Sequence, residues 1–426
     1  MLFPRVMYRI CITAAALLCF GCASAPPAVD PRQLEAAAPE TEQAAIARLM
    51  RISSTIERST FTDGNRIALL RNGAQTYPVM LDAIAHATRR IDMETYQFDT
   101  KAAELFAAAL IQKAQEGIEV HLLYDAWGSA AQDKSLFDRL RQAGVLVVEY
   151  NPIGANFDVD HRDHRKLLVV DNRVVITGGL NITGVYLNQT NRSDDPEQMR
   201  WRDTDVAIEG PVVAQFQKLF IKTWNGQRGP ALPPPPPPTL TKPGAVEIEA
   251  IDGAPVDNHP VIYETLLSAV ALSKRSVHIT TGFFGPPETM ITALQDAARR
   301  GVDVAIITAA HSDSDASIKA GRSHYHELLD AGVRIYELQD AVLHAKTSVI
   351  DGIWAAVGSS NLDWRSTALN NEIDAIVVDP GFGAEMEAMF KDDVAQSKEI
   401  TRQQWAGRGL AERAGETWAR LFEKEL

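Results

Sequence analysis

His164-Arg165-Lys166-Leu167-Leu168-Val169-Val170-Asp171, six residues, then Gly178-Gly179-Leu180-Asn181: this stretch returns as His344-Ala345-Lys346-Thr347-Ser348-Val349-Ile350-Asp351, six residues, and Gly358-Ser359-Ser360-Asn361, every fixed position offset by 180. A single His-x-Lys is usually an exposed polar pair on a strand and says little. Two copies of one pattern at matching places in a chain mark a duplicated unit.

The elements before each copy repeat as well. In the first half a helix-like stretch ending at Ala87 leads to a strand, Ile91-Asp92-Met93-Glu94-Thr95-Tyr96. An Ala-rich amphipathic helix over Ala102 to Glu116 leads to Gly117 and a strand through Leu123, and a further helix ending at Ala143-Gly144-Val145 opens a strand to Tyr150. In the second half Ala269 to Lys274 precedes the strand Val277 to Thr281. Ala293 to Arg300 then precedes Gly301 and a run to Ile307, and Ala331-Gly332-Val333 opens a strand to Leu338. Glycine stands where each helix stops, and a β-branched run follows. Matched landmarks lie 184 to 188 residues apart. The alternation predicts an α/β class, with two duplicated domains, each a helix-covered β-sheet, in pseudo-twofold contact.

Pro233 to Pro238 are six consecutive prolines, flanked by Pro230 and Pro243. Such a run favours extended polyproline II and enters neither a helix nor a central strand, so residues 229–244 read as the linker. The boundaries that follow are a signal at 1–22, a tether and lead-in at 23–65, duplicated domains at 66–228 and 245–395, and a helical segment at 396–426. From about Glu385 onward an amphipathic helical pattern carries Trp405, Leu410, Trp418 and Leu421, which predicts packing against the core rather than membrane contact.

The N-terminus reads as an export signal: Arg5 and Arg9, an apolar run from Ile10 to Phe20 too short to span a bilayer as a helix, then small residues from Gly21 to Ala25. Leu18-Cys19-Phe20-Gly21-Cys22 resembles a bacterial lipoprotein box with Cys22 as the lipidated residue, although Cys19 and Phe20 depart from it. The alternative is ordinary cleavage after Ala23-Ser24-Ala25, against which Pro26 stands. Either way the protein is expected to be exported, and the lipoprotein reading holds it on the periplasmic side of a bacterial membrane. Cys11, Cys19 and Cys22 are the only cysteines, so the folded body has no disulfide framework, zinc knuckle or cysteine nucleophile. Net charge is −13, and −15 once Arg5 and Arg9 are left out. That excess repels a polyanion at long range and weighs against nucleic acid as a partner.

On a strand, residues two apart share a face, so His164 and Lys166 project together, as do His344 and Lys346. Asp171 and Asp351 lie an odd number of residues further on and face the other way, which reads them as bracing the strand end. The glycines permit a tight return that swings the amides of Asn181 and Asn361 toward the same pocket. Two imidazoles, two ammoniums and two amides suit a phosphodiester. The lysines and amides hold the non-bridging oxygens and one histidine attacks phosphorus. The other protonates the leaving oxygen and then deprotonates the incoming alcohol or water. Fixed cations take the part that magnesium plays elsewhere, so no cofactor or metal is expected. The run Asp158, Asp160, His161, Asp163, His164 is spaced too irregularly to be a ligand set.

The repeated pattern resembles the paired HxKxxxxD signature of the phospholipase D superfamily, and within it the bacterial cardiolipin synthases. The likeness covers about residues 70 to 395. It extends to Glu94-Thr95-Tyr96-x-Phe98, Arg162-Asp163-His164-Arg165-Lys166, Gly178-Gly179-x-Asn181-Ile182, Trp201-Arg202-Asp203-Thr204, Ser360-Asn361-Leu362-Asp363-x-Arg365-Ser366 and Asn370-x-Glu372. Gly179 stands where serine is commoner, and Thr280 to Glu288 lacks the Tyr-x-x-Asp pattern of the second-half substrate edge. The resemblance implies a catalytic set of His164, Lys166, Asp171, His344, Lys346 and Asp351, with Asn181 and Asn361 on the phosphate. It also implies a phosphohistidine at His164, with His344 as acid and then base. Trp201–Ile208 aligns with Asn370–Val377 at an offset of 169, after an eleven-residue polar insertion around Asn188 to Arg200. Asp203 and Glu372 thereby become equivalent, and each resembles the family carboxylate that orients a histidine.

The activity this implies is phosphatidyl transfer between phospholipids, giving cardiolipin. Phospholipid hydrolysis, a phosphodiester nuclease and a non-catalytic lipid-binding lipoprotein are the alternatives. The expected partners are phospholipid substrates and a membrane surface reached through Cys22. The active site is complete within one chain, and the oligomeric state is left open.

Overall fold

Apolar strands that alternate with helices must bury both faces, and a sheet with helices on each side does so. The computed structural model describes residues 40–56, 60–154, 157, 158, 160–187, 199–238, 241–254, 260–312 and 314–425. Cys22 and most of the polar insertion lie outside them. The first half supplies β1 (Thr62–Arg71), β2 (Arg90–Thr95), β3 (Glu119–Asp125), β4 (Leu146–Tyr150), β5 (Lys166–Val170), β6 (Val174–Gly178), β7 (Trp201–Arg202) and β8 (Thr204–Glu209). The second half supplies β9 (Val246–Gly253), β10 (Ser276–Thr281), β11 (Phe284–Gly285), β12 (Asp303–Ala309), β13 (Arg334–Leu338) and β14 (Val342–Leu343). It continues with β15 (Lys346–Ile350), β16 (Trp354–Gly358), β17 (Leu362–Asp363), β18 (Glu372–Val378) and β19 (Ser397–Ile400).

Among the described residues fifteen of these strands form one sheet, ordered β19-β13-β12-β10-β15-β16-β18-β9-β1-β8-β6-β5-β2-β3-β4. Read outward from the central β1–β9 pair, β8, β6, β5, β2, β3 and β4 mirror β18, β16, β15, β10, β12 and β13. The duplication is therefore written into the strand order. Registers agree too: Thr95 faces Lys166 across β2–β5, and Thr281 faces Lys346 across β10–β15. Among the described residues the second half alone adds a further strand at its edge, where β19 pairs antiparallel with β13.

The strand β5 is apolar on both faces because each face meets a different layer. Leu168 and Val170 join Phe106, Leu110 and Leu140 under the helices Thr100–Gln115 and Lys134–Gln142. Leu167 and Val169 join Phe216, Phe220 and Trp224 of the helix Val213–Asn225, in a layer that also holds Val349, Ile373, Phe382 and Met386 from the second half. The two halves thus share one apolar layer.

Two expectations need correction. The segment from Glu385 to Leu426 is not one amphipathic helix: a helix ends at Val394, the polar strand β19 follows, and shorter helices span Arg402–Ala406 and Leu410–Arg420. Trp405 is buried as expected, but Trp418 and Leu421 are 66% and 76% exposed. Helical periodicity shows which residues share a face and does not show that the face is covered. No helix among the described residues is long and apolar enough to cross a membrane.

Candidate active site

Each repeated motif folds as an antiparallel hairpin, β5–β6 and β15–β16. The hairpin turns require left-handed backbone, with Asp171 at φ 55° and Asp351 at φ 55°. Aspartate tolerates that region better than most residues. Asp171 accepts hydrogen bonds from the backbone N–H of Thr88, Arg89 and Arg90 at 2.8–2.9 Å. Asp351 accepts from Lys274, Arg275 and Ser276 at 2.7–3.1 Å, and from Arg48 at 2.9 Å. Four strand residues stand between each lysine and its aspartate, a span of roughly 16 Å. The aspartates tie the far end of the hairpin to the start of β2 and of β10. Their carboxylates are engaged with backbone N–H groups at the end of the strand away from the lysine, which is a bracing position.

The histidines stand just ahead of the strands rather than on them, and Lys166 and Lys346 are the first strand residues. Each histidine lies in an extended segment paired with a segment of the other half. His164 N–H donates to Asn371 O at 2.9 Å, Asn371 N–H donates to Arg162 O at 2.8 Å, and His344 N–H donates to Arg202 O at 2.8 Å. The residue after Asn371 is Glu372, and the residue after Arg202 is Asp203. The carboxylates are therefore exchanged. His164 Nδ1 lies 2.9 and 3.0 Å from the two oxygens of Glu372, and His344 Nδ1 lies 2.8 Å from Asp203 Oδ2. Facing a carboxylate, each Nδ1 carries the proton, which leaves Nε2 free for chemistry.

The supports of the two carboxylates differ. Glu372 accepts from the hydroxyls of Ser359 (2.5 Å) and Ser366 (2.7 Å). Asp203 accepts from the Tyr186 hydroxyl at 2.6 Å and from the Thr204 N–H at 2.8 Å. Gly179 occupies the position of Ser359, and any Cβ there would sit 2.1 Å from Asp203 Oδ1. The shorter aspartate draws its carboxylate back against the turn, so serine does not fit there, and the hydroxyl that remains comes from Tyr186, at the position of Ser366.

All four principal side chains are buried: His164, Lys166, His344 and Lys346 are 3–8% exposed. Burial, then Lys166, Lys346 and His344, holds His164 well below the usual histidine range, so these charges act on one another. Burial and Lys346 lower His344 as well, while Asp203 opposes them. Burial brings Lys166 down to about 7, with Glu372 opposing. The carboxylates part company. Burial alone would raise Asp203, but His344 and Lys346 bring it down to about 2. Burial lifts Glu372 to about 7 against the pull of Lys166. Lys166 Nζ donates to His164 O at 2.5 Å, and Lys346 Nζ donates to His344 O. The amide oxygens of Asn181 and Asn361 have no hydrogen-bond partner among the described residues.

Sequence reasoning passed over two further acids. Asp205 and Asp374, two residues beyond Asp203 and Glu372, are both buried. Asp205 accepts from Leu180 N–H (3.3 Å) and the Thr76 hydroxyl (3.0 Å), and Asp374 accepts from Ser360 N–H (3.2 Å). They hold the loops that carry Asn181 and Asn361. A Cβ at Gly178 or Gly358 would meet their oxygens at 2.3 and 2.0 Å, which accounts for the first glycine of each motif. The aligned Asp-x-Asp and Glu-x-Asp were the available signal. Tyr186 stands 180 positions before Ser366, and each donates its hydroxyl to the carboxylate of its own half, so the repeat offset was its signal. The acidic run before His164 does not gather: His161 pairs with Asp158 at 2.7 Å on the surface, and Asp163 is buried near Glu94.

A family model described as "Cardiolipin synthase, PLD-like domain" matches residues 80–224 and again 266–394. "Cardiolipin synthase 2" of Bacillus anthracis is 33% identical over 367 residues, 84% of this chain and 70% of that protein. "Probable cardiolipin synthase YwiE" of Bacillus subtilis (strain 168) is 31% identical over 370 residues, 85% and 72% of the two chains. Among solved structures, phosphatidylserine synthase of Haemophilus influenzae Rd KW20 shares the fold with a TM-score of 0.66 at 15% identity, covering 88% of this chain and 97% of that one.

Proposed function

The chain belongs to the phospholipase D-like family of cardiolipin synthases, and from that premise we propose that it moves a phosphatidyl group between phospholipids through a phosphohistidine at His164. The observation that carries this reading is the exchange of carboxylates, which seats two histidines and two lysines in one buried centre.

The inequality of the two pairs supports the division of labour. An anionic phosphodiester entering between Lys166 and Lys346 counteracts the depression of both histidines. His344, backed by the ionised Asp203, is the one better able to hold a proton. His164, beside a carboxyl lifted to about 7, stays neutral and nucleophilic. His164 Nε2 attacks phosphorus, the P–N bond forms, and the P–O bond to the first alcohol breaks as His344 gives its proton to that oxygen. The second alcohol then loses its proton to His344 and attacks phosphorus, and the P–N bond breaks. The lysines and the two asparagine amides hold the non-bridging oxygens throughout. The deep burial of the pair keeps water scarce, which favours a lipid alcohol over hydrolysis. Lipidation at Cys22 would hold donor and acceptor in the same membrane as the enzyme and belongs to this proposal.

The test is product analysis by lipid mass spectrometry after incubation with phosphatidylglycerol vesicles, with plasmid DNA as a second substrate. Cardiolipin with released glycerol is the expected product. Phosphatidic acid as the main product would make the enzyme a hydrolase, and nicked DNA at comparable rates would make it a nuclease.

A further inference from the structure

A second cavity, of about 320 Å³, opens beside the active centre on the second-half side. Its walls are mostly apolar, with Pro260, Tyr263, Pro287, Trp364 and Ala368. It adjoins the site: Ile262, Tyr263, Ser366 and Thr367 also wall the small cavity lined by Lys346 and Asn361. Ser366 is the residue whose hydroxyl supports Glu372.

The C-terminal segment runs along its outer wall. Lys424 Nζ lies 4.7 Å from the centre of the Trp364 ring, and Arg420 lies 3.5 Å from Glu288, the neighbour of Pro287. On that segment Trp418, Leu421 and Phe422 are 66%, 76% and 45% exposed, with the Trp418 and Phe422 rings 4.7 Å apart. The other face of the helix Leu410–Arg420 is packed, with Ala419 buried and Glu416 paired to Arg408. Three large apolar side chains side by side in water mark a contact surface rather than a packing accident. Tryptophan with adjoining arginine and lysine suits the boundary between lipid head groups and tails.

We propose that this groove seats an acyl chain of the phospholipid whose phosphate lies between the histidines, and that Trp418, Leu421 and Phe422 rest in the bilayer at the groove's mouth. The inference rests on the phosphatidyl-transfer reading and adds where the lipid tail goes. A tail in the groove stays in contact with the bilayer while its phosphate reaches a buried centre.

The experiment compares initial rates of the full chain on dioleoyl phosphatidylglycerol vesicles and on monomeric dihexanoyl phosphatidylglycerol. The wild type is expected to favour the long-chain lipid. Ala368→Trp, which fills the groove, should lower the long-to-short rate ratio about tenfold, roughly what two methylenes in an apolar site are worth. The exposed double substitution Trp418→Ser with Phe422→Ser, where folding is not at stake, should lower the same ratio by a similar factor. A wild type that turns over both lipids equally, or a ratio unmoved in both variants, overturns the groove and leaves the transfer reading standing. A wild type that acts on neither lipid overturns the transfer reading itself.

Discussion

The two histidine sites descend from one template and have come to differ in the carboxylate that backs each of them. At His164 the partner is a glutamate, steadied by two serines and lifted by burial to about 7. At His344 the partner is an aspartate, pulled against a glycine turn, steadied by a tyrosine and held ionised at about 2. On the proposed mechanism, the first pair would remain neutral and the second would stabilise a cation. Duplication supplies two identical bases, and a reaction that needs a nucleophile beside an acid requires that the identity be broken.

The comparison breaks most sharply if the histidines prove interchangeable. His164→Ala and His344→Ala should each lose about 10⁴-fold or more in turnover. With an activated diester, however, only His344→Ala should accumulate a labelled phosphoenzyme. Label trapped on the His164→Ala protein would reverse the assignment. The carboxylates offer a finer test. Asp203→Asn removes the charge that steadies a cationic His344 and should cost about 10³-fold, whereas Glu372→Gln replaces a group already partly protonated near neutral pH and should cost about tenfold. Equal losses in kcat would show that the two pairs share one protonation state.

Exchanging the support residues sharpens the contrast further. Gly179→Ser drives a side chain into Asp203 and should lower kcat about 10²-fold through misplacement of His344. Ser359→Gly only removes one of two hydroxyls from Glu372 and should cost less than tenfold. Steady-state kinetics of the two variants in parallel settles the order. The smallest effect is on stability. Burial lifts Asp205 to about 8 and both Asp374 and Glu372 to about 7. Unfolded, these acids release protons near pH 4. From about pH 4 to pH 8 the unfolded chain therefore sheds protons that the fold retains, and stability falls as pH rises. Asp203 acts in the opposite sense only below about pH 4, and the lowered His164, His344 and Lys166 offset part of the fall within the window. The Tm should be lower at pH 8 than at pH 5, and Asp374→Asn should flatten that slope. A Tm that rises over this range would contradict the burial of these acids.

The duplicated α/β order was legible because helix and strand periods, glycine stops and the 180-residue offset are local or repetitive signals. The pairing of His with Lys was legible for the same reason. Which carboxylate serves which histidine was not, because alignment makes Asp203 and Glu372 equivalent without saying that each reaches across to the other half. That follows from the pairing of Asp163 with Asn371 and of β14 with β7, a long-range contact that no local pattern encodes. Gly179 was visible as a departure, but its cause lies in a carboxylate 24 positions away. Trp418 and Leu421 show the limit of periodicity, which groups residues and leaves their covering undecided.

The crossed carboxylates also change what the proline-rich segment at 229–244 means. Each half keeps the supports of its own carboxylate and lends that carboxylate to the other. A protease cut between the halves would sever no bond of the active centre, and a nicked enzyme should go on working while its parts stay seated. Were one part to drift away, activity would not fall by half. Both histidines would lose their counter-charge in the same event, so the enzyme fails as a single switch and not as a pair of lamps.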